Sequence, residues 1–257
     1  MGFLELVAQE KRESLRQLKR QVPLEHIMQR VKAARPYKPG LAENLSIKGM
    51  SVIAEVKRAS PSRGQIAPGI DAAKTAVRYE KAGARAVSVL TEENHFQGSL
   101  QDLREACIAT RLPVLCKDFV IDPYQVWMAA ECGASAVLLI ARMLGNQLEG
   151  LLAECREAGI EALVEVHSFP EVELALAAGS GIIGVNCRDL DTLAIDAGLH
   201  GSLRRGIPPG VITVAESGIR DRAQVQGLER LGYDAILVGE SLVQAEDPAD
   251  KIKQLLG

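Results

Sequence analysis

Lysines and carboxylates sit where apolar runs end in this chain, a placement that suits proton transfer. In SVIAEVK (51–57), Glu55 and Lys57 lie two apart, so an extended backbone points both to one side and Ala54 and Val56 to the other. Lys117 closes LPVLCK (112–117), and Glu165 closes EALVE (161–165). Partial burial and mutual charge move the pKa values of such groups toward neutrality, where lysine and glutamate can serve as general acid and base. Structural ion pairs are the alternative for both sets, because charged side chains are seldom buried without partners. Asn186 and Glu216 close two more runs, GIIGVN and VITVAE.

Glycine stands at or just past the last two run ends, Gly218 in AESGI and Gly239 in LVGES. Without a Cβ, such positions let backbone N–H groups approach an oxyanion, and a helix starting there aims its positive end at the same point. A phosphate site is the expectation. The four histidines (His26, His95, His167, His200) are dispersed without ligand spacing, and no G-x-G-x-x-G follows a run. Neither a metal site nor a dinucleotide cofactor is indicated.

The elements that must position these residues show as a rhythm. Eight short apolar runs, at 51–57, 84–92, 112–117, 134–141, 161–165, 181–186, 211–216 and 234–239, alternate with helix-patterned segments. Near-continuous Val, Ile, Leu and Ala fit strands buried on both faces of a parallel sheet, and eight such units predict a TIM (β/α)8 barrel. Barrels of this kind collect their chemistry at the carboxyl ends of the strands. Here those ends read Lys57, Glu92, Lys117, Arg142, Glu165, Asn186, Glu216 and Gly239, and all are expected to line one mouth. Amphipathic helices are expected at 72–82, 100–110, 123–132, 144–158, 170–178, 222–231 and 248–256, five of the connections carrying a glycine stop (Gly83, Gly133, Gly159, Gly179, Gly232). Two connections are long, 58–71 and 188–210. The first bears Ser, Gly and Arg and could move and bind an anion.

A length of 257 residues suits one such barrel, so the expectation is a single domain over 1–257. Residues 1–50 read as a helical N-terminal extension packed on the barrel, with the helix pattern broken at PYKPG (36–40). A net charge of −3 suggests no nucleic-acid or membrane partner. The five cysteines are scattered and odd in number, as reduced cytosolic thiols would be, and no signal peptide or membrane span is evident. A cytoplasmic enzyme follows, and a monomer is compatible with the sequence.

In this order IAEVKRASPSRG, VLTEENHFQGS, PVLCKDFVIDPYQ, ALVEVH, GVNCRDL and VAESGI closely resemble the motifs of the indole-3-glycerol phosphate synthase family, from about Ile53 to the end. The resemblance implies ring closure, decarboxylation and dehydration of 1-(o-carboxyphenylamino)-1-deoxyribulose 5-phosphate, with no cofactor or metal. It makes Lys117 the general acid at the ketone oxygen and Glu165 the acid-base partner of the dehydration. Lys57 would hold the substrate carboxylate, with Glu55, Asn186 and Glu216 on the sugar hydroxyls. Arg188, Ser217, Gly218 and Gly239 fall at substrate or phosphate positions, and Ser60, Phe96 and Phe119 at the aromatic pocket.

One residue departs from the family pattern, which has two adjacent asparagines before the arginine of the sixth motif: Cys187 replaces the second. A related phosphate-binding isomerase barrel, phosphoribosylanthranilate isomerase, would carry a Cys/Asp pair at the first and fifth strand ends, where this chain has Lys57 and Glu165. A barrel decayed to a scaffold would not have kept all six of the charged and amide groups above.

Overall fold

Valine, isoleucine, leucine and alanine supply most of eight parallel strands, and the strands close on themselves. In the computed structural model, which describes residues 2–34, 39–189 and 191–257, they are β1 (Ser51–Val56), β2 (Ala86–Leu90), β3 (Val114–Lys117), β4 (Ala136–Ile140), β5 (Glu161–Val166), β6 (Ile182–Asn186), β7 (Ile212–Glu216) and β8 (Ala235–Val238). Each pairs with the next in parallel, and β1 pairs with β8 to seal the barrel, Ser51 opposite Ala235. The (β/α)8 architecture expected from the run pattern is the one observed. Register matters for the chemistry: Leu90 lies opposite Lys117, Ile140 opposite Glu165, and Asn186 opposite Glu216, so the functional ends share one rim.

The period of two along each strand sorts side chains into two layers. Ile53, Leu115, Leu163, Val214 and Leu237 fill the barrel interior, whereas Ala54, Val56, Val164 and Val166 join the layer between strands and helices. That outer layer is closed by α4 (Ala72–Lys81), α5 (Leu100–Ala109), α6 (Pro123–Glu131), α8 (Leu148–Ala158), α9 (Phe169–Ala177), α10 (Gly198–Arg204), α11 (Arg222–Leu231) and α13 (Pro248–Leu256). Side-chain caps start several of these helices: Asp71 accepts from Lys74 N, Ser99 from Asp102 N, and Asp221 from Gln224 N. The five expected glycine stops all have positive φ, from 73° to 95°. All five cysteines are buried.

Three helices precede the barrel, α1 (Phe3–Gln21), α2 (Leu24–Ala34) and α3 (Leu41–Leu45). The break expected at 36–40 falls, as far as Lys38, outside the described residues. The short α3 closes the amino end of the barrel: Ala42 N donates to Glu161 at the start of β5, and Asn44 Nδ2 donates to Arg85 O just before β2. At the opposite end α1 lies on the rim. Lys11 Nζ is 2.6 Å from Asp118 beyond β3, His95 Nε2 is 2.9 Å from Glu10, and Phe3 N donates to Asp191 Oδ1 at 2.9 Å in the loop after β6.

The structure corrects several expectations. The helix expected at 144–158 starts only at Leu148 (α8): a short α7 (Ala141–Leu144) and a 3-10 turn (Gly145–Gln147) precede it, and Gly145 takes φ 51° between them. Arg142 therefore belongs to a helix instead of a strand end and turns outward, toward Glu171, Asp189 and Asp191. Glu92 is buried, but its carboxylate accepts the N–H groups of Asn94, His95 and Phe96 and so folds its own loop. Neither residue joins the mouth. In the long first loop, a small hairpin pairs Ala59–Ser60 with Gly64–Gln65, Arg58 is locked onto Asp102, and Arg63 onto Glu240. Those arginines already hold carboxylates.

Candidate active site

The strand ends surround a cavity of about 390 Å³ that opens at the carboxyl end of the barrel. Of the residues expected there from the sequence, Glu92 and Arg142 apart, its walls include Glu55, Lys57, Lys117, Glu165, Asn186 and Glu216, with Ser60, Phe96, Phe119, Arg188, Ser217, Gly218 and Gly239. Leu90, Leu138, Ile140 and Leu237 form apolar floor between the charges. Burial in such surroundings strengthens each electrostatic contact.

Two cations sit among the carboxylates. Lys57 Nζ is 2.7 Å from Glu55 Oε1, and Lys117 Nζ lies between Glu165 Oε2 at 3.4 Å and Glu216 Oε2 at 3.5 Å. Burial opposes the Lys117 charge, yet Glu165, Glu216 and Glu55 together outweigh it and hold the ammonium above its ordinary value. The two glutamates separate. Burial also opposes the Glu165 charge, but Lys117, His167 and an Asn186 hydrogen bond keep its carboxyl below the usual range. For Glu216, burial dominates over Lys117 and is joined by repulsion from Glu165 and Glu55, which pushes the carboxyl up to about 8. Near neutrality the site therefore holds an ammonium, a carboxylate and a protonatable carboxyl within one hydrogen-bonding reach, a set able to give and take protons in sequence.

Two glycines make room for these carboxylates. A Cβ at Gly184 on β6 would run into Glu216 and meet Leu163 Cδ1 at 3.2 Å, and a Cβ at Gly239 would run into Glu55. After β7 the backbone turns through two consecutive left-handed residues, Ser217 at φ 69° and Gly218 at φ 75°. The first is strained for a residue with a side chain, and its Oγ donates to Asn186 Oδ1 at 2.8 Å. Asn186 Oδ1 also accepts from Arg188 N at 3.0 Å, which fixes the amide across the β6–β7 gap.

The two helix starts expected at the phosphate position differ. Asp221 and Gln224 close the start of α11 with a capping box. After β8, Gly239 is the N-cap of the four-residue α12 (Glu240–Val243), with no side-chain cap, and Gly239, Glu240 and Ser241 line the cavity. The cations there are side chains: Arg188 lies 3.4 Å from Glu240, which Arg63 also reaches at 2.7 Å, and Arg220 and Lys251 complete the rim.

On the other side the wall is aromatic. Phe96 and Phe119 lie with ring centroids 6.1 Å apart, and Phe3 adds an edge contact to Phe119 at 5.9 Å. Phe3 is a lining residue not among those expected from the sequence, since it lies in the N-terminal extension read only as helical. Ser60 lines the cavity from the hairpin, 3.3 Å from the Ser62 hydroxyl. Cys187 points away from the cavity wall, its thiol donating to Ser217 O at 3.4 Å, and burial pushes that thiol up to about 11. Among the described residues, metal-type ligands gather at Glu10, Glu92 and His95, outside the cavity. Glu92 is engaged there by loop N–H groups and His95 by Glu10, so the cluster fastens α1.

Comparison with known proteins adds identity to this geometry. A profile of indole-3-glycerol phosphate synthase matches residues 4–255. Among curated relatives, proteins named indole-3-glycerol phosphate synthase from Dehalococcoides mccartyi and Syntrophobacter fumaroxidans are 45% and 44% identical, each over 99% of this chain and over 100% and 97% of their own lengths. One from Mycolicibacterium smegmatis is 46% identical over 91% of this chain and 86% of its own. Among solved structures, a 3-hexulose-6-phosphate synthase superposes with a TM-score of 0.64 at 14% identity, covering 80% of this chain and 98% of its own. A thiamine phosphate pyrophosphorylase from Pyrococcus furiosus gives 0.62 at 16% identity, over 84% and 96%. These two speak for the fold alone.

Proposed function

The chain belongs to the indole-3-glycerol phosphate synthase family, and from the cavity described above we propose how its residues divide the work. The enzyme is a carboxy-lyase of tryptophan biosynthesis. It closes the ring of 1-(o-carboxyphenylamino)-1-deoxyribulose 5-phosphate and releases carbon dioxide and water to give indole-3-glycerol phosphate. Two anions and an aromatic ring must be held in one place, and the observation that carries the assignment is that two lysines stand between an aromatic wall and a cationic rim.

In this reading the phenyl ring packs on Phe96 and Phe119, beside Ser60, and its carboxylate meets Lys57, displacing part of the Glu55 contact. The phosphate lies at Ser217, Gly218 and Gly239, where Arg188 can exchange Glu240 for the ligand. Lys117 then protonates the ketone oxygen as the ring carbon attacks. A cationic iminium-like intermediate forms, which the surrounding carboxylates stabilise, and loss of carbon dioxide restores the aromatic ring. Glu165 serves the dehydration as acid-base partner, while Glu216 and Asn186 hold the sugar hydroxyls.

Burial supports this division. Glu165 and Glu216 are each 1% exposed, so their charges act without the screening that a surface pair suffers. The cavity is complete within one chain, which supports a single domain over 1–257, with residues 1–50 as its packed extension, working as a monomer. A cytoplasmic location rests on the scattered, buried cysteines; no helix among the described residues is long and apolar enough to cross a membrane.

The test is a fluorescence assay of indole-3-glycerol phosphate formation, with chelator present and no cofactor added. Turnover is expected. Binding of the substrate without turnover would overturn the proposed roles and make Cys187→Asn the first reversion to try.

A further inference from the structure

Two buried polar atoms face each other without a hydrogen-bond partner among the described residues: Glu165 Oε1 and His167 Nε2, 3.4 Å apart. His167 lies two residues beyond Glu165 and so falls on the same side of the extended chain, and its side chain is only 3% exposed. The other ring nitrogen, Nδ1, is 3.3 Å from Glu171 Oε2. A neutral imidazole carries one bare nitrogen lone pair, which here would point at a carboxylate oxygen on one side or the other. Only the doubly protonated ring presents a donor to both.

We propose that His167 is a positioning residue for Glu165: a buried imidazolium, clamped by Glu171, that engages Glu165 Oε1 and leaves Oε2 to Lys117 and the substrate. The assignment rests on the acid-base role of Glu165 proposed above. Glu171 is built for the clamp. It accepts from His167 N at 2.8 Å and from Ser168 Oγ at 3.0 Å, and Arg142 Nε lies 3.4 Å from its second oxygen.

The charged groups that face His167 are Glu165 from its own strand, Glu171 from α9 and Arg142 from α7; Lys117 and Glu216 stand beyond Glu165. Burial and Arg142 oppose the imidazolium charge, but Glu171 and Glu165 outweigh them and hold the ring above an ordinary histidine. Reciprocally, His167 is one of the charges that keep Glu165 below the usual carboxylate range. A histidine read from the sequence as dispersed thereby acquires a place beside the reacting groups.

Two variants of the full-length enzyme test this through the pH profile of kcat. His167→Gln keeps an amide N–H near the Nε2 position but no charge, and Glu171→Gln removes the anion that holds the ring protonated. Each should move the Glu165 titration in the profile to higher pH by roughly 0.5–1.5 units, the scale of losing one nearby opposite charge. On the acid limb of the profile His167→Gln should therefore lose roughly 3- to 30-fold in kcat, the same shift read as a rate, and recover as pH rises, with KM within about twofold of the parent. Ring resonances in NMR, assigned by their loss in His167→Gln, should show His167 protonated at neutral pH.

An unmoved profile in both variants, or a neutral His167 ring at pH 7, would overturn the assignment. Should His167→Gln fail to fold, Glu171→Gln decides alone. Glu165→Gln separates this assignment from the reading beneath it. Abolished turnover there with an unmoved profile in the other two rejects only His167, whereas parental turnover removes the role of Glu165 and the His167 assignment with it.

Discussion

Lys117 holds the centre of the site because three carboxylates converge on one ammonium that has nowhere else to put its charge. Lys117→Gln keeps a donor but no transferable proton, and should lower kcat by at least about a hundredfold with the fold retained by circular dichroism. A parental rate would remove its role as the acid. Glu216 makes a prediction about stability. Its folded carboxyl is raised from the ordinary 4.5 to about 8, so the folded chain keeps a proton that the unfolded chain has released. The stability it contributes is therefore full below about pH 4.5 and declines as pH rises toward 8. Glu216→Gln should melt above the parent by a margin that widens through that window, by at most about 1.4 kcal/mol per pH unit, and then levels off. Thermal unfolding across pH measures it, and a margin independent of pH would refute the account. At this scale the sequence was legible where chemistry ends a strand. Phe3 and His167 were not, because one reaches the cavity from a distant helix and the other acts through a carboxylate it does not touch in sequence.

Strands and helices were read from periodicity because burial on both faces leaves apolar runs that few other structures produce. What periodicity missed were local events with a specific cause. Gly145 and a 3-10 turn delay the helix expected from 144 to Leu148, Glu92 turns back on its own loop N–H groups, and Arg142 follows α7 outward. Gly184 was likewise silent in the sequence, since nothing in GIIGVN announces a carboxylate lying over its Cα from the neighbouring strand. The structure makes it testable. Gly184→Ala places a methyl against Glu216 and Leu163, and should cost about 1–3 kcal/mol in denaturant unfolding along with a marked fall in kcat. Parental stability and rate together would mean that β6 and β7 can part more easily than their pairing implies.

Across the whole molecule charge is sorted by position. The chain is acidic overall at −3, and Lys57, Lys117, Arg188, Arg220 and Lys251 face one cavity together with Glu55, Asp118, Glu165, Glu216 and Glu240. A substrate with two anionic groups is held there by contacts to those cations, which salt can screen. Raising ionic strength from about 0.01 M to 0.15 M, which shortens the screening length from about 30 Å to 8 Å, should raise KM severalfold and leave kcat nearly constant. A KM indifferent to salt would shift the weight of binding to the aromatic wall.

The buried cysteines supply this barrel with two natural clocks. Cys116 and Cys155 lie in the layer between strands and helices, and Cys187 beside the turn that carries Ser217. Burial holds all three thiols up, to about 12 for Cys155 and about 11 for Cys187, so an alkylating reagent must wait for an opening event. The rate at Cys187 counts excursions of the active-site rim, and the rate at the other two counts separation of the helical coat from the barrel. Mass spectrometry of a single timed reaction therefore times both motions in the unmodified enzyme, and saturating phosphate should slow the first without changing the second.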